Sequence, residues 1–525
     1  MKREYLCQCR GCHCGRGTDA KLVLLSEKKY PEARCLDGTM GGYYVRKGIA
    51  EQTLVHFEGG GWCYDSSCNP TVEKTLADCW SRSASRLGSS KYWGWTYPDF
   101  RLTGMLSADP KENPVFHNWT LVYVPYCDGT SFSGDAVRSY EGDRLHFKGR
   151  KILDAVFDSL RLDVTKQLVV SGESAGALAV LLHIDTIAKQ VTRTHGQHIE
   201  IFGLADAGFF LDLRNIQGER CWPNQLMSIF NVSNGYAGLS PTCLKENSWD
   251  PSYCIFPQYF GHLLETRTFL VHSLYDSSEI YFTLGLDCCP GGCQRKRACD
   301  KKEMRLFERL RLQHISGWSR MFLSNRQIHG VWAPACIDHT LTWNHWTDPL
   351  WQVPEGGVGL AETVQMWLGA KERIRVEDSE AWPDNRPCAH EDDAENEERQ
   401  LTSLAPDDDR PHGSNAGTAG AADDQKHRND RRGRNARKRP ETKPKTFSVP
   451  LPMPIIILMI SAGVVALVAL VVSQRRRFAN TSNRTIETEL METELPETGI
   501  DLRTEDAGDK MTLQRSCSAC SQGTF

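Results

Sequence analysis

One short stretch constrains the fold more than any other: Gly172-Glu173-Ser174-Ala175-Gly176, between the apolar run 167–171 (QLVVS) and a stretch with helical spacing, 174–189. A serine flanked in this way at a strand-to-helix junction needs a very tight turn. Small residues are required at both glycine positions, and the serine then stands exposed at the tip. The bare pattern is weak, since a chain this long holds about 0.2 chance matches at average Gly and Ser usage. Its placement makes it informative, because a strand that turns directly into a helix is a building unit of α/β folds.

The rest of the region 21–375 repeats that alternation. Runs 53–57, 120–124, 199–205 and 268–272 read as buried strands, and 328–333 as a late one. Segments 143–162 and 174–189 have helical spacing, with Leu178, Leu181, Leu182 and Ile187 forming an apolar face on the second. The expectation is an α/β fold, α/β-hydrolase-like, with a mainly parallel sheet covered by helices on both faces. Hydrophobic residues at 40% and charged residues at 24% suit a globular enzyme domain, and a net charge of −4 gives no reason to expect a nucleic-acid partner.

Outside that region the composition shifts. Residues 1–20 form a tail containing Cys7, Cys9, Cys12 and Cys14, read as disulfide-bonded or disordered. Residues 376–449 run from an acidic block (391–398) through Ala/Gly-rich sequence to a basic block (428–439), a disordered charged stalk. The run 451–473, from Leu451 to Ser473, is apolar and carries no charge, long enough for a transmembrane helix across about 30 Å of hydrocarbon. Residues 474–525 are then a short cytosolic tail, opened by Arg475-Arg476-Arg477.

Cysteine usage bears on the compartment. Of the 20 cysteines, 13 lie between Cys35 and Cys336, scattered as disulfides are rather than clustered as metal ligands are. Their pairing cannot be read from the sequence. Sequons at Asn118 and Asn231 agree with an oxidising compartment, so the enzyme domain is expected on the lumenal or extracellular side of a single-pass membrane protein. No apolar run follows Met1-Lys2-Arg3, so no signal peptide is visible, which would fit a missing N-terminal segment.

The chemistry starts from Ser174. A serine hydroxyl becomes a nucleophile when a base, itself oriented by a carboxylate, takes its proton. Asp276 lies just beyond the strand-like run 268–272, at the sheet edge where sites of open α/β sheets gather. His314, His329, His339, His345 and His390 all follow it, and spacing alone does not choose among them. Glu58-Gly59-Gly60-Gly61-Trp62 follows the first clear strand. The amides of Gly61 and Trp62, with that of Ala175, are candidate oxyanion donors.

Nine blocks in order resemble the pectin acetylesterase family, which also takes in Notum-type protein deacylases. They are CLDGTMGGYY from Cys35, HFEGGGWC from His56, RLGSSK from Arg86, YCDGTSFSGD from Tyr126, SGESAGA from Ser171, LADAGFFLD from Leu204, YCIFPQY from Tyr253, LYDSSEI from Leu274 and ACIDH from Ala335. The resemblance implies a catalytic triad of Ser174, Asp276 and His339, an oxyanion hole from Gly60, Gly61, Trp62 and Ala175, and a supporting role for Asp206. It implies no metal and no cofactor. The implied substrate is an acylated polysaccharide, deacetylated through an acyl-enzyme, or alternatively an acylated protein; a non-catalytic, membrane-anchored binding protein is the third reading. Two departures stand out. Ala177 occupies a position where the family has Gly, and Glu173 puts a carboxylate beside the serine. If Glu173 faced the cleft it would disfavour anionic substrates.

Overall fold

The computed structural model describes residues 20–381, apart from 98–101, 289–296, 325–328, 354–356, 371–372 and 380. The stretches 1–19 and 382–525, with the expected stalk, membrane span and tail, lie outside the described residues.

A ten-stranded sheet organises the domain. In chain order its strands are β1 (Ala20–Leu24), β2 (Gly42–Arg46), β3 (Ile49–Phe57), β4 (Thr96–Tyr97) and β5 (Trp119–Val124). A separate hairpin follows, β6 (Ala136–Tyr140) and β7 (Asp143–Phe147). The sheet resumes with β8 (Gln167–Glu173), β9 (Glu200–Asp206), β10 (Arg267–Val271) and β11 (Gly330–Ala333). A small ribbon, β12 (Gln352–Val353) with β13 (Val358–Gly359), precedes the edge strand β14 (Ile374–Glu377). The order across the sheet is β14-β11-β10-β9-β8-β3-β5-β2-β1-β4. From β14 to β5 neighbours run parallel; β2, β1 and β4 continue antiparallel. The mainly parallel sheet expected from the sequence is therefore present.

Strand chemistry explains the centre. Leu168, Val169 and Val170 of β8 are all fully buried, as are Phe269, Leu270 and Val271 of β10. Successive side chains point to opposite faces, so the sheet is covered on both sides. Helices supply the cover: α1 (Val72–Ser83), α2 (Gly149–Ser159), α3 (Ala175–His195), α4 (Cys221–Ser233), α5 (Pro241–Glu246), α6 (Pro257–Phe260), α7 (Lys301–Ser324), α8 (Leu341–Asn344) and α9 (Leu360–Gly369). Helix α3 packs along β8, β9 and β3, and α9 along β11 and β14.

One expectation fails locally. The helical spacing over 143–162 covers two elements: Asp143–Phe147 is strand β7, and the helix begins at Gly149. The reason is the turn ahead of it. Glu141 (φ 49°) and Gly142 (φ 84°) both take the left-handed conformation of a two-residue hairpin loop, which pairs Tyr140 with Asp143.

Five disulfides brace the loops above the sheet: Cys35–Cys127, Cys63–Cys79, Cys68–Cys221, Cys243–Cys254 and Cys288–Cys299; Cys336 is disulfide-bonded as well. Such bonds belong to an oxidising compartment. Asn118 and Asn231, the two sequon asparagines, are exposed. Among the described residues no helix is long and apolar enough to cross a membrane.

Candidate active site

Strand order reverses at β3: the next strand of the parallel set, β5, lies on one side and β8 on the other. The crevice beyond the carboxyl ends of the strands at such a switch is where open α/β sheets bind ligands. The turns after β3, β8, β9, β10 and β11 meet there.

The turn after β8 carries Ser174, at φ 53° and ψ −120°, a conformation a side chain adopts only under strain. Close approach dictates the flanking glycines. A Cβ at Gly172 would lie 2.5 Å from the Gly176 carbonyl carbon, and one at Gly176 would lie 2.2 Å from the Phe57 carbonyl oxygen. Ala207 after β9 (φ 55°) and Thr340 beside His339 (φ 62°) also have positive φ. Strain of this kind persists where the surroundings over-determine it, commonly at functional sites.

Glu173 does not face the cleft. Its carboxylate is buried, accepting a hydrogen bond from the Gly59 N–H at 2.7 Å through Oε1 and pairing through Oε2 with His56 Nε2. His56 is itself buried, with Nδ1 2.8 Å from the Ser171 hydroxyl. The residue beside the serine thus ties the elbow to the glycine loop. Arg82 holds that loop from the other side, donating to the Gly60 carbonyl at 2.9 Å. Gly60 (φ 129°) and Gly61 (φ 63°) adopt backbone that favours glycine, and disulfide Cys63–Cys79 anchors the loop to α1. Among the described residues the N–H groups of Gly60, Gly61, Trp62 and Ala175 have no hydrogen-bond partner, and so remain available to a bound group.

Beyond β10, Asp276 is completely buried. Its Oδ1 accepts from the Ser278 and Glu279 amides at 2.9 and 3.1 Å, while Oδ2 lies 2.7 Å from His339 Nδ1. Burial alone would push the His339 imidazole down. The Asp276 carboxylate outweighs it and holds the pKa up at about 9. The Ser174 hydroxyl makes no hydrogen bond to His339 in this structure; such contacts are often long before substrate binds and tighten with it.

The other histidines left open by spacing are committed elsewhere. His329 is buried, accepts from the Thr268 N–H at 3.2 Å, and is pushed down to about 4 by burial. His345 lies between Asp338 and Asp348 at 2.7 and 3.2 Å and stacks on Trp351. His314 contacts Glu279 at 2.7 Å. His390 lies outside the described residues.

Asp206 links the two halves of the centre. Its carbonyl accepts the Ser174 N–H at 2.8 Å. Its carboxylate accepts from the Leu341 and Thr342 amides at 3.0 and 2.7 Å and the Thr342 hydroxyl at 2.6 Å, holding the loop just after His339. Burial pushes this carboxyl up to about 6. An aromatic wall stands beside it: Phe210 lies 6.5 Å from His339 ring to ring and contacts Trp62 and Trp222, which Tyr64 joins.

A serine on a strained elbow, unengaged amides and a carboxylate-paired histidine at one sheet edge are the parts of a carboxylic-ester hydrolase. Comparison with known proteins agrees: the chain belongs to the pectinacetylesterase family, whose model matches residues 14–389. Pectin acetylesterase 5 of Arabidopsis thaliana is 30% identical over 386 residues, covering 70% of this chain and 84% of that protein. The palmitoleoyl-protein carboxylesterase Notum of Schmidtea mediterranea is 28% identical, covering 66% of this chain and 64% of that one. The solved structure of the Wnt deacylase Notum from Drosophila superposes with a TM-score of 0.59 at 22% identity, over 71% of this chain and all of that one. That likeness speaks for the fold.

Proposed function

We propose that this enzyme removes O-acetyl groups from a cell-surface or cell-wall polysaccharide through an acyl-enzyme on Ser174. The observation that carries the mechanism is the 2.7 Å contact of His339 Nδ1 with the buried Asp276 carboxylate, at the sheet edge that also bears the Ser174 elbow. On substrate binding His339 Nε2 takes the Ser174 proton and Oγ attacks the ester carbonyl; Asp276 stabilises the imidazolium. Oxyanion charge falls on the amides of Gly60, Gly61, Trp62 and Ala175, each such donor contributing on the order of a hundred- to a thousandfold in rate. As the intermediate collapses, His339 gives its proton to the departing sugar oxygen, which leaves as a hydroxyl. Water, activated by the same imidazole, releases acetate.

Glu173 leaves this reading open to anionic polysaccharides such as pectin, because its carboxylate is spent on Gly59 and His56 rather than turned to the cleft. A second reading, removal of a fatty acyl group from a protein, draws on the aromatic wall of Trp62, Phe210 and Trp222, which suits an apolar chain. The remaining organisation is part of the same proposal. Residues 21–375 form the catalytic domain on the lumenal or outer side, 376–449 a stalk, 451–473 a single membrane span and 474–525 a cytosolic tail, as their composition supports.

Hydrolysis of p-nitrophenyl esters from acetate upward, set beside acetate release from acetylated pectin, tests the choice. Acetate preference with release from the polysaccharide supports the first reading. Preference for chains of about eight carbons or more moves it to the second.

A further inference from the structure

Behind the Asp276 turn, three side chains converge that the esterase chemistry does not use. His272 follows β10, Glu279 opens a single π-helical turn (Glu279–Thr283), and His314 lies on α7. His272 Nε2 and His314 Nε2 are 3.1 Å apart, and Glu279 Oε2 is 3.3 Å from the first and 2.7 Å from the second. Each side chain is 1% exposed or less. Among the described residues two other groupings of potential ligands, around Cys68 with Cys221 and Cys288 with Cys299, are accounted for by their disulfides; this one has no such explanation.

We propose that His272, Glu279 and His314 bind one divalent transition-metal ion of the zinc class. Zinc takes imidazole nitrogen and carboxylate oxygen at about 2.0–2.1 Å, which sets tetrahedral ligand atoms about 3.3 Å apart. The three edges here match closely enough that an ion fits about 1 Å off their plane with ordinary bond lengths. The donor set, two imidazoles and one carboxylate, suits zinc, cobalt or nickel rather than calcium or magnesium, which prefer all-oxygen shells.

The surroundings orient the ligands. Glu279 Oε1 accepts from the Leu211 N–H at 2.9 Å, which turns Oε2 inward. The His314 ring lies flat on Trp318, 5.5 Å between centroids and 5° between planes. Among the described residues neither imidazole Nδ1 has a hydrogen-bond partner; a metal-bound ring carries its proton there and presents the Nε2 lone pair. A divalent ion also compensates the charge of the buried Glu279 carboxylate, which is costly to bury without compensation. The Glu279 N–H donates to Asp276 Oδ1, so an ion here braces the turn that aims Asp276 Oδ2 at His339. The ligand spacing follows no motif, so a metal here is not readable from residue order alone.

The full chain, with disulfides formed, is dialysed with Zn²⁺ and then against metal-free buffer, and its bound metal is measured by mass spectrometry. His314→Gln and Glu279→Gln are treated alike; the difference is the readout, because Cys7, Cys9, Cys12 and Cys14 are able to hold metal of their own. Each variant is expected to lose one equivalent. Chelator-treated wild type is expected to gain in Tm on zinc addition until one equivalent is bound, a test that needs no variant to fold. Cobalt at the site gives visible ligand-field bands without the near-ultraviolet charge transfer of thiolate ligands. Equal metal content in wild type and variants, or no Tm response in chelator-treated wild type, overturns the proposal and leaves a hydrogen-bonded His–Glu–His cluster. Esterase activity is not the readout, so these outcomes are independent of the acyl-enzyme mechanism.

Discussion

Glu173→Ala removes the carboxylate that joins the elbow to the glycine loop, and its cost follows from what it leaves behind. The Gly59 N–H loses its 2.7 Å acceptor and His56 Nε2 loses its partner; both groups are buried. A buried polar group left unpaired costs about 1–3 kcal/mol, so the pair amounts to about 2–6 kcal/mol of stability. An unfolding entropy of about 2.1 cal/mol/K per residue over the domain gives roughly 1.3 °C per kcal/mol, so Tm falls by about 3–8 °C. The loop also loses its tether beside Gly60, Gly61 and Trp62, so kcat falls by about a hundredfold or more while KM changes little. Glu173→Gln separates geometry from charge. Its amide oxygen still accepts from Gly59 and its NH₂ donates to His56 Nε2, so most of the stability and kcat return. Thermal unfolding and p-nitrophenyl acetate kinetics on the three proteins decide the matter. Wild-type Tm and kcat in Glu173→Ala would refute the reasoning, as would a Gln variant no better than Ala.

Four further outcomes follow from the same geometry. Asp206→Asn turns an amide NH₂ toward one of the two backbone donors, Leu341 N–H or Thr342 N–H, displacing the loop behind His339, and a misplacement of about 1 Å lowers kcat roughly a hundredfold; unchanged kinetics would remove Asp206 from its positioning role. Because the pKa of His339 is raised to about 9, the acid limb of kcat/KM lies above the ordinary histidine range, activity rising with pH. Stability runs the other way: the imidazolium–Asp276 contribution is fully present below about 6.5 and lost as pH rises toward about 9, so the Tm difference between wild type and His339→Gln narrows over that window. Ser174→Gly relieves the strained φ of 53° and raises stability by about 1–3 kcal/mol while abolishing turnover; a lower Tm in that variant would argue against strain at the elbow.

Parts of the molecule that depend on local pattern were legible in the sequence. β3, β5, β8, β9 and β10 declare themselves as apolar runs because both faces of a central parallel strand are buried. The two elbow glycines are readable because no other residue fits beside the Phe57 and Gly176 carbonyls. Hairpin β6–β7 was hidden, since its second strand runs almost directly into α2 and blurs one period into the other. Spacing could not separate His339 from His329 or His345, because their difference lies in partners: Asp276 is 63 residues from His339 in the chain. Asp206 reaches across 135 residues to Leu341, and Cys68 across 153 to Cys221. Contacts of that kind leave no periodic trace. The direction in which Glu173 points is likewise a property of the packed turn.

The central claim is that Ser174 is a nucleophile activated by His339 and Asp276. Labelling of the folded, disulfide-bonded protein with a fluorophosphonate, followed by peptide mass mapping, tests it most directly, because the reagent traps an activated serine whatever the natural ester. The account predicts a single adduct on Ser174, formed slowly or not at all in His339→Ala. An unlabelled wild-type protein, an adduct on a different serine, or equal labelling in the His339 variant would contradict it.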